Sequence, residues 1–447
     1  MFQKLKIYNE FDFFLVPFFL ILIFLFAYNI KSRNKAIKSY DYLIKGLLFK
    51  LLGVIGFILV YVYYYKGGDT NAYFYGAKAV ANLLLQDFGK GIDVLFNLDS
   101  VYNNFSVFNS GTGYPPPYMW RDAKTFSVCR FTTIFSLLSL NSFIVTSFLV
   151  CIFSYLGVWK FYRLVNILFP NNEKALAYII LYLPSLIFWG GGIMKDSYVL
   201  GSVCWISYNF YFIFIKRKKL FWNFIWLFLN FLIILNTKSY VLLSLFPGVL
   251  LWLNNAYIKQ IKNKIIKVMA FPVIIFIISG LGFVVFNSIS STLGTYGSVG
   301  MIIEKAQITQ DDLLRVNAYG KNNYNLGKLD GTITGFVSLA PVAIFTALFR
   351  PFIWEIANPA MAISSIENSI LLIFIMLTLI KLRFYNFFKI IFSDPFLLYC
   401  FFFSVVFAFG VGVAGTNFGA LVRYKIPLMP FFFTMVFIVS RKSLKKF

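Results

Sequence analysis

The sequence predicts an all-α fold: a polytopic transmembrane helical bundle with about 11 spans plus one re-entrant or short segment. The composition is 60% hydrophobic and 21% aromatic over 447 residues. Only 13% of the residues are charged, whereas an ordinary soluble domain has roughly a quarter. This balance excludes a soluble enzyme, a disordered chain and a disulfide scaffold.

Apolar runs of about 17 residues or more, each able to cross a hydrocarbon core of roughly 30 Å, define the predicted spans. In chain order they are 13–30, 47–65, 140–159, 175–191, 198–215, 220–236, 240–257, 268–287, 361–380, 395–414 and 426–440. The first run ends in Lys31-Ser32-Arg33 without a small-residue cleavage site, which predicts a retained anchor. The stretch 334–349 is shorter and contains Pro341, so we expect it to be re-entrant or a half-span.

The distribution of lysine and arginine predicts the orientation. One set of loops holds 24 of the 41 Lys and Arg and 3 of the 17 acidic residues, a net charge of +21. The opposite set has a net charge of +3 and includes the N-terminus. The first set is therefore predicted to be cytoplasmic, with the N-terminus outside and the C-terminus inside. The overall charge of +24 is then a topology signal, and no nucleic-acid partner is expected.

A single integral-membrane domain is predicted over residues 1–447, with partly helical outer loops at about 66–139 and 288–333. Apolar residues recur at helical spacing from Asn71, which indicates an amphipathic helix capped by Asp69 or Asn71. The ring-rich stretch 114–122 predicts an extended segment whose rings stack on sugars or belong to an interfacial belt. Histidine is absent and the cysteines are scattered, so no metal site and no cofactor are predicted.

Charged residues collect at the predicted outer ends of the spans. Ionisable groups at membrane depth are costly and usually line a site, and a mixture of carboxylates and cations suits an anionic substrate. The segments are Gly67 to Thr70, Gly190 to Asp196, Thr237 to Ser239, Arg350-Pro351 with Glu355, and Arg423 to Lys425. The candidate site residues are Asp69 and Asp196 for catalysis, with Lys195, Lys238, Arg350, Glu355, Arg423 and Lys425 for substrate binding.

Each candidate also has a structural interpretation. Asp69 and Asp196 can cap the helices that they begin. The three glycines from Gly190 can end a span and allow close packing. The cations at Lys238, Arg423 and Lys425 can reach lipid headgroups. These alternatives remain open at the level of the sequence.

Several of these motifs resemble those of a known group of membrane enzymes. Leu183 to Trp189 leading into Lys195-Asp196, Asp69 after an early span, Arg350-Pro351 and Arg423-Tyr424 resemble bacterial polytopic membrane glycosyltransferases of the GT-C type and O-antigen-type polysaccharide polymerases. The resemblance implies a catalytic aspartate at Asp69. It also implies that Arg350 and Arg423 hold the diphosphate of a polyprenyl-linked glycan. The related ligases use a histidine, which this sequence lacks.

The expected function is transfer of a sugar from a polyprenyl-(di)phosphate-linked donor at the outer face of a bacterial cytoplasmic membrane. Asp69, or else Asp196, accepts the proton of the attacking hydroxyl, and Lys195, Arg350 and Arg423 stabilise the departing phosphate. Expected partners are the polyprenyl-linked saccharide, membrane lipids and other membrane proteins of polysaccharide assembly. The alternatives are a transporter or flippase of lipid-linked glycans and a non-catalytic membrane scaffold.

Overall fold

The computed structural model describes residues 10–96, 105–120, 122–258, 296–315, 322–327 and 329–444. These residues form helices and connecting turns, and the single β-bridge among them joins Asn323 to Asn417. The all-helical prediction is therefore confirmed for the described part of the chain. Eight helical segments there are long and apolar enough to cross a membrane. They are Asp12–Arg33, Lys38–Tyr64, Phe143–Leu168, Lys195–Ile215, Leu220–Thr237, Met361–Ser393, Pro395–Ala414 and Phe418–Lys442.

The contacts divide the chain into two compact units. Unit 1 comprises Met1–Asn209 and Phe221–Lys238, and unit 2 comprises Phe210–Leu220 and Ser239–Phe447. The first helices, α1 to α6, are Asp12–Arg33, Leu43–Leu59, Asp69–Gln86, Phe88–Phe96, Pro117–Trp120 and Ala123–Leu138. The next, α7 to α12, are Phe143–Leu168, Glu173–Leu176, Pro184–Trp189, Lys195–Phe210, Leu220–Thr237 and Tyr240–Ile258. Wider π-helical turns extend α2, α8 and α10 through Val60–Tyr64, Ala177–Leu181 and Tyr211–Ile215.

The predicted span 175–191 is broken into short pieces. The segments α8 and Ala177–Leu181 are followed by Tyr182 and Leu183, and α9 then starts at Pro184. Proline at the first helical position removes an N–H that has no partner within the helix, so the sequence favours a new helix start at this point. The break places the three glycines in a turn between α9 and α10.

The remaining helices, α13 to α19, are Val299–Leu313, Ile333–Ser338, Ala340–Phe349, Pro359–Ser393, Pro395–Ala414, Phe418–Tyr424 and Met429–Leu444. The predicted short segment 334–349 consists of α14 and α15, which are separated at Leu339. A helix of 10 residues such as α15 is about 15 Å long, half of a hydrocarbon core. The predicted span 268–287 lies outside the described residues.

Two boundaries differ from those predicted. Helical structure before α2 already begins at Lys38, so the second span includes Lys45, which lies outside the predicted run 47–65, as well as Lys50. The predicted amphipathic helix of the first outer loop is α3, but its N-cap is Gly68 and neither Asp69 nor Asn71. Gly67 and Gly68 have φ angles of +143° and +124°, which side chains of other residues rarely adopt. The glycine pair therefore makes the tight turn between α2 and α3.

Candidate functional site

The N-termini of α3 and α6 in unit 1 lie side by side. The would-be Cβ of Gly76 in α3 lies 2.5 Å from Cys129 Sγ in α6, and Asn141 Nδ2, in the turn after α6, donates to Asn82 Oδ1 at 2.9 Å. From the first contact to the second, the chain advances along both helices in the same direction, so α3 and α6 run parallel. Their first residues, Asp69 and Ala123, are therefore at the same end of the pair.

A third N-terminus, that of α10, reaches the same place through Lys195. Its Nζ atom donates to Thr125 Oγ1 at 2.7 Å and lies 3.9 Å from Asp122 Oδ2. Four charged groups act electrostatically on this ammonium group: Asp122, Lys238, Asp69 and Asp196. Each of the three N-termini thus carries one aspartate. The carboxylates complement the partial positive charge of the helix ends, and two lysines add full positive charges.

The deepest part of this cluster is an ion pair. Lys238 Nζ lies 2.5 Å from Asp196 Oδ1, and the two side chains are 9% and 2% exposed. Lys238 follows the last residue of α11, so the pair ties the end of α11 to the start of α10. Asp196 lies in the first turn of α10, as expected, but its carboxylate is neutralised by a lysine.

Asp122 forms the open side of the cluster. Its side chain accepts hydrogen bonds from Lys124 N at 3.1 Å and from the Thr125 hydroxyl, and it is 57% exposed. Partial burial by itself raises the pKa of Asp122, but the Lys195 ammonium and these hydrogen bonds outweigh it and hold the pKa below its usual range. The site prediction did not include Asp122 or Thr125. An aspartate directly before a helical run is an N-cap signal, and this signal could have indicated both the helix start and the residue.

Asp69 is half-buried at the first position of α3. Gly68 is the N-cap, and Asp69 lies in the first turn of α3, where its carboxylate also complements the helix dipole. The exposed ring of Tyr118 is close enough for the carboxylate to act on it, and burial together with Asp69 raises the pKa of Tyr118 to about 12. The phenol therefore stays protonated beside Asp69 at neutral pH.

The remaining candidates lie in unit 2. Arg350 pairs with Glu355 through two of its nitrogen atoms, with Nε 3.1 Å from Oε1. Its guanidinium carbon also lies 4.8 Å from the centre of the Phe418 ring and 5.6 Å from that of Tyr324. A planar cation held by a carboxylate fork and two rings has a fixed orientation.

Lys425 is fully buried in unit 2 and contacts the backbone next to this cation. Its Nζ atom donates to the Arg350 carbonyl at 3.0 Å and to Asn368 Oδ1 at 2.8 Å. Asn368 in turn donates to the Pro351 carbonyl at 3.3 Å. Through these hydrogen bonds Lys425 holds the backbone at Arg350 and Pro351 in place. Arg423, two residues before Lys425, lies over the ring of Tyr424 at 5.2 Å.

The structure thus brings four of the predicted site residues together in unit 1, namely Asp69, Lys195, Asp196 and Lys238. It brings three together in unit 2, namely Arg350, Glu355 and Lys425, with Arg423 two residues before Lys425. Within the described ranges, no group of three or more metal-ligating side chains is placed to hold an ion. Comparison of the chain with known proteins gave no match: no family model, no curated protein and no solved structure matches it.

Proposed function

We propose that the protein is a membrane glycosyltransferase or polysaccharide polymerase. It transfers a sugar from a polyprenyl-(di)phosphate-linked donor at the outer face of the cytoplasmic membrane. The observation that carries the proposal is the meeting of three helix N-termini, three aspartates and two lysines in unit 1. Helix N-termini and lysine ammonium groups favour anionic ligands, and a carboxylate among them can take up a proton.

Asp69 is the best general base of the three aspartates. Asp196 is neutralised by a buried lysine at 2.5 Å, and Asp122 is held in its ionised form by Lys195 and two hydrogen bonds. A carboxylate that is stabilised as an anion accepts a proton poorly. Asp69 is half-buried and lies beside the other charges without forming the N-cap of its helix.

The reaction balances with these groups alone. The acceptor hydroxyl oxygen attacks the anomeric carbon, and Asp69 takes the hydroxyl proton. The bond from the anomeric carbon to the phosphate oxygen breaks, and the polyprenyl phosphate or diphosphate leaves with the bonding electron pair. Lys195 is 20% exposed and has three N–H donors, of which Thr125 accepts one, so it can stabilise the departing phosphate. Arg350 and Arg423 stay predicted phosphate ligands.

The test uses cells from which the gene has been deleted and then restored in three forms. The forms are wild type, Asp69→Asn, and the control Asp93→Asn, which changes an exposed aspartate of the same unit. Surface polysaccharide and lipid-linked saccharides are separated on gels. We expect wild type and Asp93→Asn to restore polymer, and Asp69→Asn to leave single lipid-linked units at the outer leaflet.

Two results would refute the proposal. The first is unchanged polymer in the deletion strain. The second is accumulation of the lipid-linked unit at the inner leaflet, which would indicate a flippase. Normal polymer with Asp69→Asn at wild-type protein level would refute the assignment of Asp69 as the base.

A further inference from the structure

The turn that carries Lys195 and Asp196 lies below the ends of its neighbouring helices. The segment from Leu181 to Gly192 runs parallel to α2, with Leu181 against Gly46 and Gly192 against Phe57. Beyond Phe57 the second span continues for seven residues to Tyr64. At 1.5 Å per residue the glycine turn is recessed by about 10 Å relative to the end of that span.

The packing of α10 against α7 gives the same estimate for the recess of the turn. The rings of Tyr198 and Phe153 are 5.7 Å apart, and Gly201 packs on Ser154. Phe153 is ten residues after the start of α7, while Lys195 is three residues before Tyr198. The difference of seven residues again corresponds to about 10 Å. The cluster in unit 1 is therefore recessed relative to two independent helices.

A lysine that the proposed mechanism does not use lies beneath this turn. Lys50 is at the middle of the second span, Lys38–Tyr64, and is only 3% exposed. The titratable groups that act on it are the thiols of Cys151 and Cys204, and neither is a carboxylate. Its Nζ atom donates to the Leu186 carbonyl at 2.5 Å. A cation at this depth is costly, so its contact with one backbone carbonyl calls for a functional explanation.

The Leu186 carbonyl belongs to the last turn of α9 and also accepts from Gly190 N at 3.2 Å. A Cβ atom at Gly190 would lie 2.7 Å from Lys50 Nζ, so only glycine leaves room for the ammonium group here. The lysine therefore holds the end of α9 at the point where the chain turns towards Lys195. A cation at a helix C-terminus is also favoured by the helix dipole.

We propose that Lys50 is a positioning residue that fixes the depth of the Lys195–Asp196 turn. Its catalytic significance rests on the proposed function, but the positioning itself does not. Without the ammonium group, α9 loses its polar contact with α2, and the turn moves outward to a more hydrated position. Lys195 then becomes more accessible and more reactive as an amine.

The experiment measures acylation of single lysines by mass spectrometry, with purified protein in nanodiscs and a small water-soluble anhydride. Lys50→Met removes the charge and keeps the length of the side chain. Lys45→Met is the matched control, since it removes an exposed lysine from the same helix. Lys78, which is exposed on α3, serves as the internal reference in every sample.

We expect Lys195 in Lys50→Met to be acylated roughly threefold faster or more, relative to Lys78, and to be unchanged in Lys45→Met. General destabilisation would raise the labelling rate of the fully buried Lys425 together with that of Lys195 and would contradict the proposal. An unchanged Lys195 rate in folded Lys50→Met would also overturn it. Because no substrate is present, the result is independent of whether the protein transfers sugar.

Gly190→Ala provides a second route if Lys50→Met does not fold. Its methyl group would lie 2.7 Å from both Lys50 Nζ and the Leu186 carbonyl oxygen, and 2.5 Å from Leu200 Cδ2, so it should break the contact of the lysine and accelerate labelling of Lys195. The double variant Lys50→Met/Gly190→Ala should label no faster than the more affected single variant, because both changes break one contact. Multiplication of the two single effects would show that the contacts are independent and would refute the coupling.

Discussion

Removal of one partner of the buried ion pair in unit 1 should destabilise the protein strongly. Asp196→Asn leaves Lys238 charged, 9% exposed and without the carboxylate that lies 2.5 Å from its Nζ atom. Loss of one member of a buried pair costs about 3–5 kcal/mol, since the remaining charge is not solvated. We expect a loss of that size in the free energy of unfolding for Asp196→Asn.

The pair between Lys195 and Asp122 provides the contrast within the same cluster. The two charges are 3.9 Å apart and Asp122 is 57% exposed, so the interaction is worth about 1 kcal/mol or less. Asparagine also caps helices well, so Asp122→Asn keeps the cap of α6. The two losses in the free energy of unfolding, for Asp196→Asn and for Asp122→Asn, therefore show how far burial changes the strength of an ion pair.

The assay is denaturant titration of the purified protein in mixed micelles, monitored by tryptophan fluorescence. The double variant Asp196→Asn/Lys238→Met removes both charges, and we expect it to recover most of the stability lost in Asp196→Asn. Equal losses for Asp196→Asn and Asp122→Asn would refute the reasoning. So would a double variant that is as unstable as the single one.

Three further predictions concern packing, pH and charge geometry. Gly412→Ala should lower stability by about 1–3 kcal/mol in the same titration, because its methyl group would collide with the Ala343 carbonyl of α15. Gly410→Ala, with no neighbour within 4 Å, should be nearly neutral. The pKa of Asp122 is lower in the folded protein, so its carboxylate contributes stability that is present above the unfolded pKa of about 3.9 and is lost as pH falls through the folded pKa. In Asp122→Asn, the free energy of unfolding should therefore fall less steeply as the pH is lowered. Arg350→Lys keeps the charge but loses the two-pronged contact with Glu355 that fixes the side chain. It should weaken binding of a polyprenyl-diphosphate glycan in nanodiscs by about tenfold, whereas unchanged binding would indicate a structural role alone.

The sequence predicts the helical class well because apolar runs of membrane length leave the backbone no other way to satisfy its hydrogen bonds. It also predicts the amphipathic helix α3 from its apolar spacing, but not its N-cap, which is Gly68 and neither Asp69 nor Asn71. It places the start of the second span at residue 47, whereas helical structure begins at Lys38, because the charged Lys45 interrupts the apolar run. Lys50 is compatible with the span only through its contact with the Leu186 carbonyl, and this contact joins residues 136 positions apart.

Four candidate residues of unit 1 could be selected from their type and their position at span ends. Their arrangement could not, because the parallel pairing of α3 with α6 depends on contacts such as that between Gly76 and Cys129. The different environments of the aspartates could not be predicted from the sequence either. Asp196 and Asp122 are alike in sequence as helix-start carboxylates, but one is buried against Lys238 and the other is open to solvent. Burial of this kind is a property of the packed helices.

The central claim is that Asp69 takes the proton of the acceptor hydroxyl at the meeting point of three helix N-termini. The most direct measurement is the single-turnover rate of sugar transfer from a polyprenyl-diphosphate-linked saccharide in nanodiscs. Wild type and Asp69→Asn are compared, with binding of the donor measured in the same samples. We predict that Asp69→Asn lowers the rate by about 100-fold or more and changes donor affinity by less than about threefold. A rate for Asp69→Asn close to that of wild type would contradict the account.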